Sequence, residues 1–118
     1  MYFILFIKKV VVIISTVLPG TIRREIIPII EDNPYFKLCY NPFFIAMGTT
    51  INDFINPEFV LFGVDDKGAY EAAKEFYATI HDKPVYECTI EEAEMIKVSY
   101  NTYITMKINL ANLCYWKT

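Results

Sequence analysis

The chain has 118 residues, 54% of them hydrophobic and 16% aromatic, which suits one modest folded domain and excludes a disordered tail. Its net charge of -3 leaves no basic footprint, so nucleic acid is not an expected partner. Cys39, Cys88 and Cys114 are odd in number and lack C-x-x-C spacing, and His81 stands alone; reduced thiols in a cytoplasmic protein fit better than disulfides or a metal site.

Residues 1–18 are very apolar, but Lys8 and Lys9 divide them into runs too short to cross a bilayer, so no membrane partner is expected. No small-residue cleavage site follows cleanly. Residues 10–15 are β-branched almost throughout and read as a buried parallel strand. A turn at 16–21 leads into a helix over 22–31, spaced by Ile22, Ile26, Ile29 and Ile30, with Pro28 placed to kink it. Asp32-Asn33-Pro34 ends that helix, and residues 36–40 form a second strand.

Asn41-Pro42 opens a loop that runs to Gly48, and residues 49–56 are a polar connection with one helical turn. Residues 58–64 read as a third strand, punctuated by Gly63. Asp65 or Asp66 caps a helix from 67 to about 80, with Ala69, Ala73, Phe76 and Tyr77 facing inward. Residues 84–88 make a fourth short strand. The order β-α-β-β-α-β-α indicates an α/β sheet covered by helices. No G-x-G-x-x-G occurs in these 118 residues.

The last element, residues 89–112, begins with Thr89 and Glu92 in a T-x-x-E capping box, and no Pro or Gly follows. At 100° per residue, Glu94, Lys97, Asn101 and Asn112 fall within about 60° of one another. Such a strip places a cation beside an amide, with Glu94 bracing Lys97 three residues on. The plainer reading is a solvated face with one ion pair.

Three segments carry a resemblance to one protein family. Ser15-Thr16-Val17-Leu18-Pro19-Gly20-Thr21 is similar to the family's S-T-V-x-P-G-T. Asn41-Pro42-Phe43-Phe44-Ile45-Ala46-Met47-Gly48, with Asp53 and Pro57 downstream, is similar to N-P-E-F-L-x-E-G and its D-x-x-x-P. Ala93-Glu94-Met95-Ile96-Lys97 with Asn101 is similar to A-E-x-x-K-x-x-x-N. Together these segments resemble the UDP-glucose/GDP-mannose dehydrogenase family, and the resemblance runs from Val10 to about Asn112.

It implies the C-terminal half of a Rossmann-like N-terminal domain followed by a long central helix. Residues 1–88 would be the partial NAD-binding domain and 89–118 the start of a dimerisation helix. The implied activity is NAD-dependent oxidation of a nucleotide-sugar C6 alcohol to a carboxylate. Lys97 and Asn101 would stabilise the oxygen as hydride leaves C6. Ser15 and Thr16 would lie at the cofactor, with Thr16 facing the nicotinamide and helping to hold a catalytic water. Phe44 and Ile45 would contact the nucleotide-sugar through their backbone, while as side chains they could simply be core. A homodimer through the long helix is implied as well.

The sequence departs from the pattern in places that matter. Phe43 and Met47 stand where the family's loop has two glutamates, and neither can move a proton. No counterpart of the nucleophilic cysteine in the family's G-G-S-C segment is present; Cys39, Cys88 and Cys114 have other contexts. The reading is therefore a fragment or truncated relative of such an enzyme, inactive alone. The rival is a non-catalytic dimerisation module contacting through Tyr100, Tyr103, Met106, Leu110 and Trp116. A third reading keeps the enzyme but changes its chemistry to an oxidation that stops at an aldehyde or ketone, or to another sugar.

Overall fold

A computed structural model describes residues 9–116, so the readings made on residues 1–8 lie outside it. Four strands form one mixed sheet in the order β1 (Lys9–Ile13), β2 (Phe36–Tyr40), β3 (Val60–Val64), β4 (Val85–Cys88). β1 runs parallel to β2 with Ile13 opposite Tyr40, and β3 runs parallel to β4 with Gly63 opposite Cys88. Each parallel pair is joined by a helical crossover, as parallel pairing requires. The middle pair, β2 and β3, is antiparallel, with Tyr40 opposite Gly63. The chain between them needs no full crossover and carries only the short α2 (Thr50–Ile55).

The two faces of the sheet are read off the period of two along the central strands. Leu38, Tyr40 and Leu61 point to one side, where they pack with Ile22, Ile27, Ile90 and Ala93. Cys39, Val60, Phe62 and Val64 point to the other, against Ala69, Ala73 and Tyr77 of α3 (Lys67–Ala78). Every residue of β3 is buried, which is why that stretch shows no polar alternation.

The strand positions agree with the expectation to within two residues, and so does α3, but β1, expected to be buried, is a partly exposed edge strand because no further described strand covers it. Asp66, not Asp65, caps α3: its carboxylate accepts the Ala69 N–H at 3.0 Å. Asp66→Ala should cost about 1 kcal/mol in urea denaturation. Phe76 is a correction; it is 58% exposed instead of facing the sheet. Ala69, Ala73 and Tyr77 recur every four residues, and the two alanines let the helix sit close to the sheet, which narrows the covered stripe.

The helix expected over 22–31 is continuous but not uniform. Residues Ile22–Ile26 are π-helical, with the Ile27 N–H bonded to the Ile22 carbonyl five residues back, and α1 (Ile27–Glu31) follows. Pro28 sits in the first turn of α1, where its missing N–H is tolerated. The last helix, α4 (Ile90–Trp116), runs four residues past the expected end. Its capping box forms as anticipated: Thr89 N–H donates to Glu92 at 2.8 Å, and Glu92 N–H donates to the Thr89 hydroxyl at 3.2 Å. Among the described residues no helix is long and apolar enough to cross a membrane.

Candidate functional site

The loop after β2 is anchored at its root. The backbone N–H of Asn41 donates to the Ile13 carbonyl at 2.8 Å, and its buried side-chain amide donates to the Tyr77 hydroxyl. Farther along, Asp53 of α2 accepts the Ala46 N–H at 2.9 Å and the Thr49 hydroxyl at 2.7 Å. Those donors hold the Asp53 carboxyl below its ordinary pKa. The loop is thus pinned at both ends, and Phe44 turns in between toward α4.

Phe44 packs on Phe59 and meets Tyr100 edge-on, each at 4.9 Å between ring centres. Lys97 lies in the angle they form. It is only 6% exposed, and its Nζ stands 4.8 Å from the Phe44 ring centre and 5.7 Å from that of Tyr100. Burial lowers its pKa below that of an ordinary lysine. One helical turn on, Asn101 is exposed to solvent. An open cleft of about 640 Å³ is lined by Phe44, Ile45, Lys97, Tyr100 and Asn101, with Asp53 and Glu58 on its walls. A desolvated ammonium beside an amide donor, over aromatic walls, can bind an oxygen that gains negative charge.

The cleft brings Phe44, Ile45, Lys97 and Asn101 together. Ser15 and Thr16 do not line it; they are exposed just beyond the C-terminal end of β1. Asn112 is not part of it either, since eleven residues of α4 place it about 16 Å along the axis from Asn101. Phe43 packs against Phe54 with 5.5 Å between centres, and Met47 is fully exposed.

Glu94 corrects the expected strip. It does not brace Lys97. Fully buried, it accepts the Gly20 N–H at 2.6 Å and the Ile22 N–H at 2.8 Å. The first turn of a helix presents amides that lack acceptors, and these claim the carboxylate. Close by, Arg23 bridges Asp65 and Glu91, its Nε 2.7 Å from Glu91, so the π-helical turn, the end of β3 and the start of α4 are tied at the surface.

Tyr100, read as a contact for a second chain, is a wall of the cleft. The three-residue step from Lys97 already placed it on that face. Glu94 carried no local signal, because its partners lie 72 and 74 residues away.

None of the cysteines sits in the cleft. Burial pushes the Cys39 thiol up to about 12. Cys88 is raised to about 11, by burial first and then by Glu92 and Glu87. Cys114 is exposed. At pH 8 a chromogenic disulfide should therefore titrate one thiol quickly and the other two at least about tenfold more slowly, a pattern read by absorbance. Among the described residues no group of three His, Cys, Asp or Glu side chains could hold a metal.

Residues 3–81 match the sequence model of the NAD binding domain of the UDP-glucose/GDP-mannose dehydrogenase family. The chain belongs to this family. It is 36% identical to the GDP-mannose 6-dehydrogenase of Pseudomonas aeruginosa, over 89% of this chain and 25% of that protein. It is 35% identical to a UDP-glucose 6-dehydrogenase of Haloferax volcanii, over 89% of this chain and 27% of that one. The crystal structure of the Pseudomonas aeruginosa GDP-mannose dehydrogenase superposes with a TM-score of 0.79 at 37% identity, over 87% of this chain and 25% of the other. The UDP-glucose dehydrogenase of Pyrobaculum islandicum gives 0.80 at 29% identity, over 89% and 25%. The fold is that of the Rossmann-like N-terminal part of this dehydrogenase family. The chain spans about a quarter of the length of these relatives.

Proposed function

We propose that this chain supplies the sugar-binding cleft of an NAD-dependent nucleotide-sugar 6-dehydrogenase, with residues 1–88 as part of the cofactor-binding domain and 89–118 as the start of the central helix. The observation that carries this reading is Lys97, buried in an aromatic-walled cleft with Asn101 one turn away. Oxidation of an alcohol removes hydride from carbon and a proton from oxygen, so negative charge grows on that oxygen. Lys97 meets that charge with an ammonium held out of water, where its field is weakly screened. Asn101 donates a second hydrogen bond from the same rigid helix. Phe44 and Ile45 form the wall against which the sugar-nucleotide rests.

Bound NAD would supply the hydride acceptor. Ser15 and Thr16 fit the nicotinamide end: their hydroxyls are exposed at the carboxyl end of a strand, where ligands of open α/β sheets bind, and they make no hydrogen bond to another described residue. Thr16 would also help to hold water there.

A purely structural module is less well supported, because a buried ammonium costs stability and adds nothing to a scaffold. The loss of both loop glutamates leaves room for an oxidation that stops at an aldehyde or ketone. Phe43 is built into the core, so that position contributes packing and no proton transfer.

Calorimetric titration of the 118-residue chain with GDP-mannose, UDP-glucose and NAD tests the reading. Binding of a sugar nucleotide, weakened about tenfold by Asn101→Ala, is expected. A folded chain that binds neither sugar nucleotide would overturn it.

The proposed partner of α4 is a second copy of the chain. Tyr103, Met106, Leu110 and Trp116 are each more than half exposed, and so many large apolar side chains on one helix are normally covered. Sedimentation should show a dimer that Met106→Glu weakens by at least about tenfold.

A further inference from the structure

Glu94 has no part in the chemistry proposed for the cleft, yet among the described residues it is the most deeply buried charged side chain. Both of its oxygens are spent on backbone amides of a distant segment, Gly20 and Ile22. Gly20 has φ +87, a left-handed conformation that turns the chain so the two N–H groups converge on one carboxylate. The segment they end is the turn that begins with Ser15 and Thr16. From the sheet side Tyr40, also fully buried, places its hydroxyl beside Val17 and near the charge of Glu94.

We infer that Glu94 is a positioning residue. Its carboxylate fixes the turn of residues 15–20 on α4, so that Thr16 at the strand end and Lys97 in the cleft keep one spatial relation. The inference rests on reading Thr16 and Lys97 as parts of one site. Three residues of helix separate Glu94 from Lys97, a rise of about 4.5 Å through rigid backbone. Displacement of the clasp therefore moves the turn relative to the ammonium, while the cleft itself stays intact. Charge and acceptor count both matter. A glutamine offers one acceptor oxygen and an NH2 donor, so one of the two amides would face a donor.

The test is amide hydrogen exchange and residual dipolar couplings on the isotope-labelled chain, comparing wild type, Glu94→Gln and Glu94→Ala. In wild type the amide vectors of residues 15–20 should fit the same rigid frame as those of residues 94–101. In Glu94→Gln the couplings of residues 15–20 should shrink by about half, and Gly20 and Ile22 should exchange about tenfold faster. Phe62 and Tyr77, on the opposite face of the sheet, should keep their protection within about twofold. Glutamine is nearly isosteric, so this arm stands even where the alanine variant fails to fold.

Unchanged couplings, or a loss of protection spread evenly over the core, would overturn the positioning role. Adding UDP-glucose or GDP-mannose to the wild-type chain reads the functional proposal separately: absence of binding there would sink the cleft assignment and leave the coupling result to stand by itself.

Discussion

Replacing Lys97 with methionine should make the fold more stable by about 1 kcal/mol and weaken the proposed sugar-nucleotide binding by about a hundredfold. The two effects share one cause. Lys97 is buried and forms no ion pair with a carboxylate among the described residues; Glu94, its nearest candidate along the helix, is committed to Gly20 and Ile22. The Phe44 and Tyr100 rings return part of the hydration that the ammonium gives up, since a cation over an aromatic face gains about 1–2 kcal/mol when desolvated. Methionine keeps the volume and the apolar contacts and removes the charge. Urea denaturation and calorimetric titration on the same two proteins check both halves. A methionine variant that is clearly less stable at pH 7 would mean that the ammonium has a stabilising partner.

The pH dependence follows from the direction of the Lys97 shift. Burial holds its native pKa below the usual lysine value of about 10.4. Between those two values the unfolded chain binds more protons than the native one, so wild-type stability rises with pH across that window. The methionine variant lacks this contribution. The stability gap between the two proteins should therefore narrow as pH climbs through the lowered pKa toward 10. Taking the difference removes Tyr40 and Tyr77, whose burial-raised pKa values act the opposite way in both proteins.

Elements that rest on local rules were legible in the sequence. The Thr89–Glu92 box marks the start of α4, one of the two adjacent aspartates at 65 and 66 caps α3, and the β-branched runs become strands. Part of the cleft was legible for a related reason: Lys97 and Asn101 share one helix face by spacing, and the loop of Phe44 and Ile45 is marked by its Asn-Pro start, whereas Tyr100 on the same face reads from the sequence as a contact for a second chain. What local rules could not reach was tertiary. Glu94 looked like a partner for Lys97 because an i,i+3 pair is the nearest available arrangement. The free amides of a helix start brought in by the fold bind it better. The π-helical turn before Pro28 leaves no trace in hydrophobic spacing, because both windings bury Ile22 and Ile27. Thr16 was placed at a strand end correctly, but whether that end opens into the cleft depends on how the turn packs on α4.

Gly63 shows the same limit from the side of stability, and its replacement by alanine should be strongly destabilising. In the sequence it reads as a break in a strand. In the fold it is buried next to the last residue of β3, flanked by Tyr40 on one side and Cys88 on the other, and the first turn of α4 lies directly on it. A Cβ at this position would stand 2.8 Å from the Ala93 Cβ, 2.9 Å from the Ile90 Cα and 3.1 Å from the Thr89 carbonyl oxygen. Two of these are backbone atoms, so no rotamer change relieves the clash. Either the strand or the helix must shift. Overpacking of this kind costs about 3 kcal/mol, which should lower the melting temperature of a chain this size by about 10 °C. A helix lifted at Ile90 also carries Glu94 and Lys97 with it. The variant should therefore lose sugar-nucleotide binding even at temperatures where circular dichroism shows it folded. Full binding by a folded Gly63→Ala chain would mean that the helix can lift without disturbing the cleft, and that the seat of α4 on β3 is not what sets the site.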